Sequence, residues 1–237
     1  LERNSRLALR QFAENNKLTA LLTATATARQ LQTRPVSAQN YPTIQPIQSL
    51  SEVLQNIRLK NIWDADSGWV WTAEFNGDGT QVVSASQDGT VKLWDVSSGQ
   101  LLHSLEAHSG WVWTAEFNGD GTQVVSASND RTVKLWDVSS GQLLHSLEKH
   151  SGEVRTAEFN GNGTQVVSAS LDVTVKLWDV SSGQLLHSLE EHSGEVWTAE
   201  FNGNGTQVVS ASDDGTVKLW DVSSGQLLHS LEEHSGE

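Results

Sequence analysis

Ser, His and Asp recur together at a fixed spacing, four times along the 237 residues. This is the residue set of a nucleophilic hydrolase, in which His activates Ser and Asp orients His. An active site needs one exposed nucleophile with an oxyanion hole, whereas this chain repeats the set in four equal copies. The repetition favours an architectural role, and we predict that the chain is not an enzyme.

Other residue types with possible chemistry point the same way. A second series of histidines lies on the predicted fourth strands, and we expect these side chains to be solvated. They are His103, His145, His187 and His229. No His pair has close metal-ligand spacing, and the turn 76–79 lacks the carboxylate density of a calcium loop. The chain has no Gly-rich phosphate loop with a Lys-Ser/Thr pair and no cysteine. We therefore predict neither a metal site nor a cofactor.

The elements that must position these residues form a 42-residue repeat. Four units, 67–108, 109–150, 151–192 and 193–234, share the same residue in 36 of 42 columns. Each unit predicts four short strands rich in β-branched and aromatic residues, in the first unit at 70–75, 81–86, 90–94 and 100–105. A period of about 40 to 45 residues is typical of β-propellers. We predict an all-β propeller array over 58–237.

Two recurring motifs carry a family resemblance. Leu93-Trp94-Asp95 closes the third strand, and Ser84-Ala85-Ser86-Gln87-Asp88-Gly89-Thr90 precedes it. These residues resemble the WD40 repeat family, whose blades contain a buried hydrogen-bond network. The resemblance implies that one of two Ser in the second strand joins the following residues: Asp88, Asp130, Asp172 and Asp214; Trp94, Trp136, Trp178 and Trp220; His108, His150 and His192. The first unit has Asp66 where the family has His.

The charge of the chain excludes some partners. The net charge is −14, and only three of the 29 Asp/Glu lie in the first 60 residues, which hold eight of the 15 Lys/Arg. The acidic repeats repel phosphate backbones, so we predict no nucleic-acid binding. No stretch reaches 18 apolar residues and no signal segment opens the chain. We expect a cytoplasmic protein with no membrane contact.

The residues before the repeats predict a different structure. Apolar residues at helical spacing predict a helical segment over 1–34, three prolines predict a linker over 35–48, and capping-box spacing predicts a short helix over 49–57. Residues 58–63 align with the fourth strand of a unit. This lead-in resembles the segment before the propeller of bacterial, notably cyanobacterial, STAND-type signalling proteins.

Four blades are fewer than the seven or eight usual in the family that the repeats resemble. Because an open propeller leaves exposed sheet edges, we predict self-association into an eight-bladed ring. At each junction the extra strand 58–63 and the last strand 226–231 would compete for one position, and the sequence leaves open which of them fills it. The chain ends on the first residues of another unit, so we expect more blades in the natural protein.

Six columns differ between the units, and five of them fall at one end of the predicted blade, in the turn between the second and third strands and in the link between units. The sixth, the Asp78 column, lies in the opposite turn. We predict that the five columns form a partner-binding rim. Its residues are Trp69, Trp71, Gln87, Trp111, Trp113, Asn129, Arg131, Lys149, Glu153, Arg155, Leu171, Val173, Glu195, Trp197 and Asp213.

The leading hypothesis is a non-catalytic scaffold that binds a protein or peptide through its aromatic rim. The scaffold would be the sensor part of a larger signalling protein. The alternative is a structural or oligomer-forming array, recently amplified or engineered, with no specific ligand. Surface drift is a further explanation for the variable columns. Trp71 and its equivalents could also simply fill the channel wall of the propeller.

Overall fold

The computed structural model describes residues 68–106 and 108–232, and over these residues the fold is all-β. Four antiparallel sheets, blades 1 to 4, each follow the chain in the strand order first to fourth. The strands are β1 (Val70–Phe75), β2 (Gln81–Ser86), β3 (Val91–Asp95) and β4 (Leu101–Leu105) in blade 1; β5 (Val112–Phe117), β6 (Gln123–Ser128), β7 (Val133–Asp137) and β8 (Leu143–Leu147) in blade 2; β9 (Val154–Phe159), β10 (Gln165–Ser170), β11 (Val175–Asp179) and β12 (Leu185–Leu189) in blade 3; and β13 (Val196–Phe201), β14 (Gln207–Ser212), β15 (Val217–Asp221) and β16 (Leu227–Leu231) in blade 4.

The all-β prediction is confirmed for the described residues. In blade 1 the third and fourth strands begin one residue later than predicted. Thr90 still belongs to the preceding turn and bonds to the Asp88 carboxylate, and Gln100 donates its backbone N–H to Ser98 Oγ in the next turn. No helix within 68–106 or 108–232 is long and apolar enough to cross a membrane. The predicted helices at 1–34 and 49–57, the linker at 35–48 and the strand at 58–63 lie outside the described residues.

The hydrophobic cores lie between blades. Val83, Leu93 and Leu105 of blade 1 pack on Val112 and Trp136 of blade 2, and all five side chains are buried. Equivalent residues form the cores between blades 2 and 3 and between blades 3 and 4. A flat sheet with two apolar faces is stable only when both faces are covered, so each blade depends on its neighbours. The chain thus contains the same interface three times.

The end blades have apolar residues without such cover. Val209 of blade 4 is 39% exposed, whereas its equivalents Val83, Val125 and Val167 are fully buried. Leu231 is likewise 58% exposed. In blade 1, Val70 and Phe75 on the first strand are exposed, although Val82 and Trp94 of the same blade are buried. Uncovered apolar area is therefore present on both end blades.

The invariant turn between the third and fourth strands is a contact with the preceding blade. In blade 2 its Gly141 has a φ of 68°, and a Cβ at that position would lie 2.7 Å from Nδ1 of His103 in blade 1. His145 packs on Gly183 in the same way, and its Nε2 lies 3.3 Å from the Ser181 carbonyl oxygen. The expectation that the second His series is solvated is therefore wrong for His103, His145 and His187, which are half-buried; only His229 of the last blade is exposed.

Candidate recognition rim

Each blade from 2 to 4 contains a hydrogen-bonded chain of four side chains. In blade 2, Nδ1 of His108 lies 2.9 Å from Oδ2 of Asp130, and Nε2 lies 2.8 Å from Oγ of Ser126. The Trp136 indole N–H donates to the same Ser126 Oγ at 2.9 Å. The corresponding sets are His150, Asp172, Ser168 and Trp178 in blade 3, and His192, Asp214, Ser210 and Trp220 in blade 4.

Burial determines the protonation state of this chain. Burial lowers the pKa of His108 despite the bond to Asp130, so the imidazole is neutral. Partial burial raises the pKa of Asp130, but hydrogen bonds from His108 and Thr132 outweigh it and hold that pKa well below its usual range. We infer the tautomer from these bonds: Nδ1–H donates to the Asp130 carboxylate, and Nε2 accepts from the Ser126 hydroxyl.

These distances match a hydrolase triad, but the surroundings do not. Ser126 is fully buried, and its oxygen already accepts the Trp136 N–H. The side chain of His108 is also fully buried. A substrate therefore has no access to the hydroxyl, and the set does not meet the geometric requirement for nucleophilic catalysis.

Blade 1 has part of the same arrangement. The Trp94 indole N–H donates to Ser84 Oγ at 3.0 Å, and Asp88 accepts bonds from the backbone and the hydroxyl of Thr90. The position of the family's His, Asp66, lies outside the described residues.

The network joins the two loops that carry the variable columns. Asp130, in the β6–β7 turn, accepts from both His108 and the Ser109 backbone N–H in the β4–β5 link. The variable residues Asn129 and Arg131 flank Asp130 directly. We use the name variable rim for the fifteen residues predicted above to bind a partner. The invariant network is thus a rigid support from which these side chains project.

Tryptophans of blades 1 and 2 form one continuous cluster on this rim. The Trp71 and Trp113 ring centroids are 5.1 Å apart, and Trp71 is 6.4 Å from Trp111. Within each blade the two indoles meet edge to face, at 5.6 Å for Trp69 and Trp71 and at 5.5 Å for Trp111 and Trp113. Such offset and T-shaped pairs are the favoured aromatic geometries.

The rim tryptophans differ in exposure. Trp69 is 69% exposed and Trp111 is 42% exposed, although Trp111 lies in an interior blade. Trp113 is half-buried, and its indole N–H is buried without a hydrogen-bond partner among the described residues. Trp71 and Trp197, in the same column as Trp113, are 36% and 41% exposed, so every described rim tryptophan except Trp113 offers much of its ring to solvent.

Blades 3 and 4 place charged groups at the same positions. The Arg155 guanidinium carbon lies 3.8 Å from the ring centroid of Trp113 and 4.7 Å from that of Trp197, and its Nη1 is 3.6 Å from Glu153. The Trp197 indole N–H donates to Asp213 at 2.6 Å. The rim therefore changes from aromatic in blades 1 and 2 to mixed aromatic and acidic in blades 3 and 4.

The remaining rim residues lie around this row. Gln87, Asn129, Leu171 and Asp213 occupy the same turn position, and their backbone N–H groups donate to the carbonyls of Trp69, Trp111, Glu153 and Glu195. Lys149 and Glu195 are exposed, and Leu171 is half-buried. The structure thus brings both variable loops of each blade together by direct hydrogen bonds.

Two rim residues have a strained backbone. The turn position held by Gly89 and Gly215 is held by Arg131 and Val173 in the interior blades, with φ angles of 72° and 73°. This left-handed conformation costs an L-residue roughly 1–2 kcal/mol, and for a β-branched residue such as Val it is an outlier. Residue choice at this position in blades 2 and 3 therefore does not follow backbone stability.

Sequence reasoning missed two features of this region. It gave no role to Glu116 and Glu158 of the first strands, which are half-buried beside one another. Burial, together with repulsion from Glu74, Glu158 and Glu200, raises the pKa of Glu116 to about 8. The sequence does contain a signal for this feature, because the same Glu occurs in the first strand of every unit among apolar residues. The second feature is the backbone strain at Arg131 and Val173. Gly89 and Gly215 in the same column indicate that this turn position requires a positive φ.

The described residues contain no group of three or more His, Cys, Asp or Glu side chains arranged to hold a metal ion. The variable column that includes residues 107 and 233 is described only in part, because those two residues lie outside the described ranges.

Comparison with known proteins agrees with this architecture. The family model for the WD domain, G-beta repeat, matches residues 58–95, 99–137, 141–179 and 183–221, which is more than half of the chain. Over 53 residues, the chain is 38% identical to the small ribosomal subunit proteins RACK1 of Medicago sativa and RACK1z of Arabidopsis thaliana. That segment is 22% of this chain and 16% of each relative, so the chain spans less than a fifth of those proteins. From the four matched repeats, the chain belongs to the WD40 repeat family.

Proposed function

We propose that this chain is a protein-interaction scaffold that binds a protein or peptide through its variable rim. WD40 repeats and the similarity to proteins named as small ribosomal subunit components support a role within an assembly. The rim supplies exposed tryptophans, which provide large contact areas at low entropic cost. The network beneath them pre-organises the loops, which lowers the cost of binding.

The observation that carries this proposal is the backbone strain at Arg131 and Val173. Strained residues persist where the surrounding structure or a function requires them. Gly is available at the same position in blades 1 and 4, so the fold has no need of Arg or Val there. Surface drift gives no reason for two costly replacements on one rim, whereas recognition by side chains does.

A substitution borrowed from the chain itself tests this proposal. Trp111→Glu installs in blade 2 the residue that blades 3 and 4 carry in that column, so the fold tolerates it. Proteins captured from extracts of the source organism are compared quantitatively for the unsubstituted chain and this variant. The matched control, Asp120→Asn, is the same kind of exchange in the opposite turn. We expect partners to be lost with Trp111→Glu and kept with Asp120→Asn; identical capture by all three proteins would contradict the proposal.

The finer architecture that we propose is a ring of eight blades made from two chains. Three internal interfaces join the face that carries Val83 to the face that carries Val112, and these are the faces on which Val209 and Val70 are exposed. Contact between blade 4 of one chain and blade 1 of another would repeat an interface already present. Such a head-to-tail contact closes when the rotation completes a circle.

Light scattering after size exclusion tests this closure, with two matched variants. Val209 is exposed only because blade 4 lacks a neighbour, whereas Leu228 is 41% exposed like its counterparts Leu102 and Leu144 of other blades. We expect twice the mass of one chain for the unsubstituted protein and for Leu228→Asp, and the mass of one chain for Val209→Asp. A monodisperse single chain without any substitution would overturn the ring.

We further propose that the scaffold is the cytoplasmic sensor part of a larger bacterial signalling protein, coupled through the residues that precede the repeats. The competing function is a purely structural array, which the three identical interfaces would also serve. A rim variant that keeps the ring but loses its partners supports recognition by the rim, and a rim variant that changes neither supports the array.

A further inference from the structure

The rim already contains one guanidinium held by tryptophan faces. Arg155 lies over Trp113 at 3.8 Å and over Trp197 at 4.7 Å, both within the range of about 6 Å for cation–π attraction. Glu153, at 3.6 Å from Nη1, adds a carboxylate. A planar, weakly hydrated guanidinium suits this environment better than an ammonium group does. The chain therefore provides an internal example of a guanidinium bound by rim tryptophans.

Trp69 of blade 1 and Trp111 of blade 2 offer aromatic faces without an arginine over them. Trp69 and Trp111 are exposed, and no cation–π contact involves either of them in the described part of the chain. Around the rim, the column that holds these two rings continues as Glu153 and Glu195 in the next two blades. Glu195 is exposed and has no ion pair with any described residue.

The charge of the repeats favours a cationic partner. Residues 61–237 carry 26 of the 29 Asp/Glu and seven of the 15 Lys/Arg. Three of those cations, Lys134, Lys176 and Lys218, are buried and donate to Ser hydroxyls. An acidic surface of this kind attracts basic segments at long range and repels acidic ones.

We propose that the variable rim recognises arginine in its partner: a guanidinium stacks on the exposed face of Trp69 or Trp111, and the exposed Glu195 adds negative charge to the same rim. This inference rests on the proposed recognition function and specifies its ligand class. Tryptophan supplies the stacking surface and the acidic half of the rim supplies charge complementarity. The partner is therefore a protein segment with exposed arginine.

The test is a random-peptide display selected on the full chain, followed by affinity measurements on the selected peptides. Each peptide is also made with arginine replaced by lysine, which keeps the charge, and by citrulline, which keeps the shape without the charge. The protein variants are Trp111→Leu, which keeps an apolar residue but removes the aromatic face, and Leu144→Ala as a control of similar exposure in the same blade. Thermal unfolding shows that the variants remain folded.

We expect the selected peptides to be rich in arginine. Citrulline and Trp111→Leu should each weaken binding by about tenfold, lysine by about threefold or more, and Leu144→Ala should leave affinity unchanged. Rim-dependent peptides that lack arginine, for instance proline-rich ones, would overturn this inference but keep the recognition function. Equal binding of arginine and lysine peptides, with no effect of Trp111→Leu, would also overturn arginine recognition, because diffuse charge attraction would then explain the binding. If no rim-dependent peptide emerged, both proposals would fail.

Discussion

The two ends of each blade differ in what their residues contact. At the end with the β3–β4 turn, Asp95 accepts bonds from Ser97 and Ser98, and in blade 2 the equivalent turn packs against His103 of the preceding blade. At the rim end, an equally invariant network lies beneath side chains that change from blade to blade. Invariance at both ends thus follows from contacts, and five of the six variable columns lie at the rim end.

The Ser-Ser-Gly turn is invariant because of its contacts with the preceding blade. From the sequence, the Ser-Ser-Gly turn and the outer strand are exposed, so their constancy makes the rim stand out. The structure gives the constancy a physical cause, because a Cβ at Gly141 would collide with His103. The variable rim is therefore notable for the strain of Arg131 and Val173 rather than for variation alone.

The largest expected effect is on the free energy of unfolding, and it separates the His of the buried network from the His on the outer strand. His150→Ala leaves the Asp172 carboxylate without its buried partner, which should lower the free energy of unfolding by about 3 kcal/mol. His145→Ala removes only a half-buried contact with the next blade and should cost about 1 kcal/mol. Denaturant unfolding measures both. Equal losses would mean that the network is no more important to stability than the inter-blade contact.

The strain at the rim predicts opposite effects for two exchanges. Gly89→Val forces a β-branched residue to a φ of 87° and places its Cβ about 3.0 Å from the His108 carbonyl oxygen, so we expect a loss of about 2 kcal/mol. Val173→Gly relieves the same strain and should raise stability by about 1 kcal/mol. Thermal unfolding of both variants provides the measurement. A stabilising Gly89→Val would remove the argument for functional selection at this position.

Glu116, in the first strand of blade 2, predicts how the stability of the fold depends on pH. In the folded chain the pKa of Glu116 is raised to about 8 from an ordinary value of 4.5, so the folded state retains a proton that the unfolded state has lost. This contribution to stability is complete below pH 4.5 and is lost as the pH rises through 8.

Between pH 7.5 and 9, where the His residues are almost entirely neutral in both states, the free energy of unfolding should fall by about 1 kcal/mol. Glu116→Gln should remove most of this slope. Glu195→Gln, at an exposed carboxylate that is not among those repelling Glu116, is the control and should retain it. A slope that persists in Glu116→Gln would assign the dependence to other groups.

The smallest effect is expected at the one variable column of the opposite end. Asp120 accepts from Thr122 Oγ1 at 2.6 Å, and Asn162 accepts from Thr164 Oγ1 at the same distance. Asp120→Asn should therefore change the free energy of unfolding by less than about 0.5 kcal/mol. A larger change in the same unfolding assay would show that the two ends of the blade are not as distinct as the contacts indicate.

The sequence was sufficient to predict the blades, because alternating apolar residues and turns rich in Gly, Asp, Asn and Ser occur four times with the same spacing. It also predicted that both variable loops meet at one rim. It did not predict the contact of His145 with Gly183, because the pattern within one blade contains no information on how the next blade packs. The strained φ of Val173 was signalled by Gly89 in the same column, a comparison that requires attention to backbone conformation.

The three inter-blade cores are built from the same residues, so no blade is specific for its neighbour. Inserting or deleting one whole unit of 42 residues would create no unfamiliar surface and would leave every remaining junction as it was. A gene with such repeats can change its copy number by recombination without first evolving a new interface. The rim positions, which lie outside those buried cores, can then diverge in each new copy while the architecture stays the same.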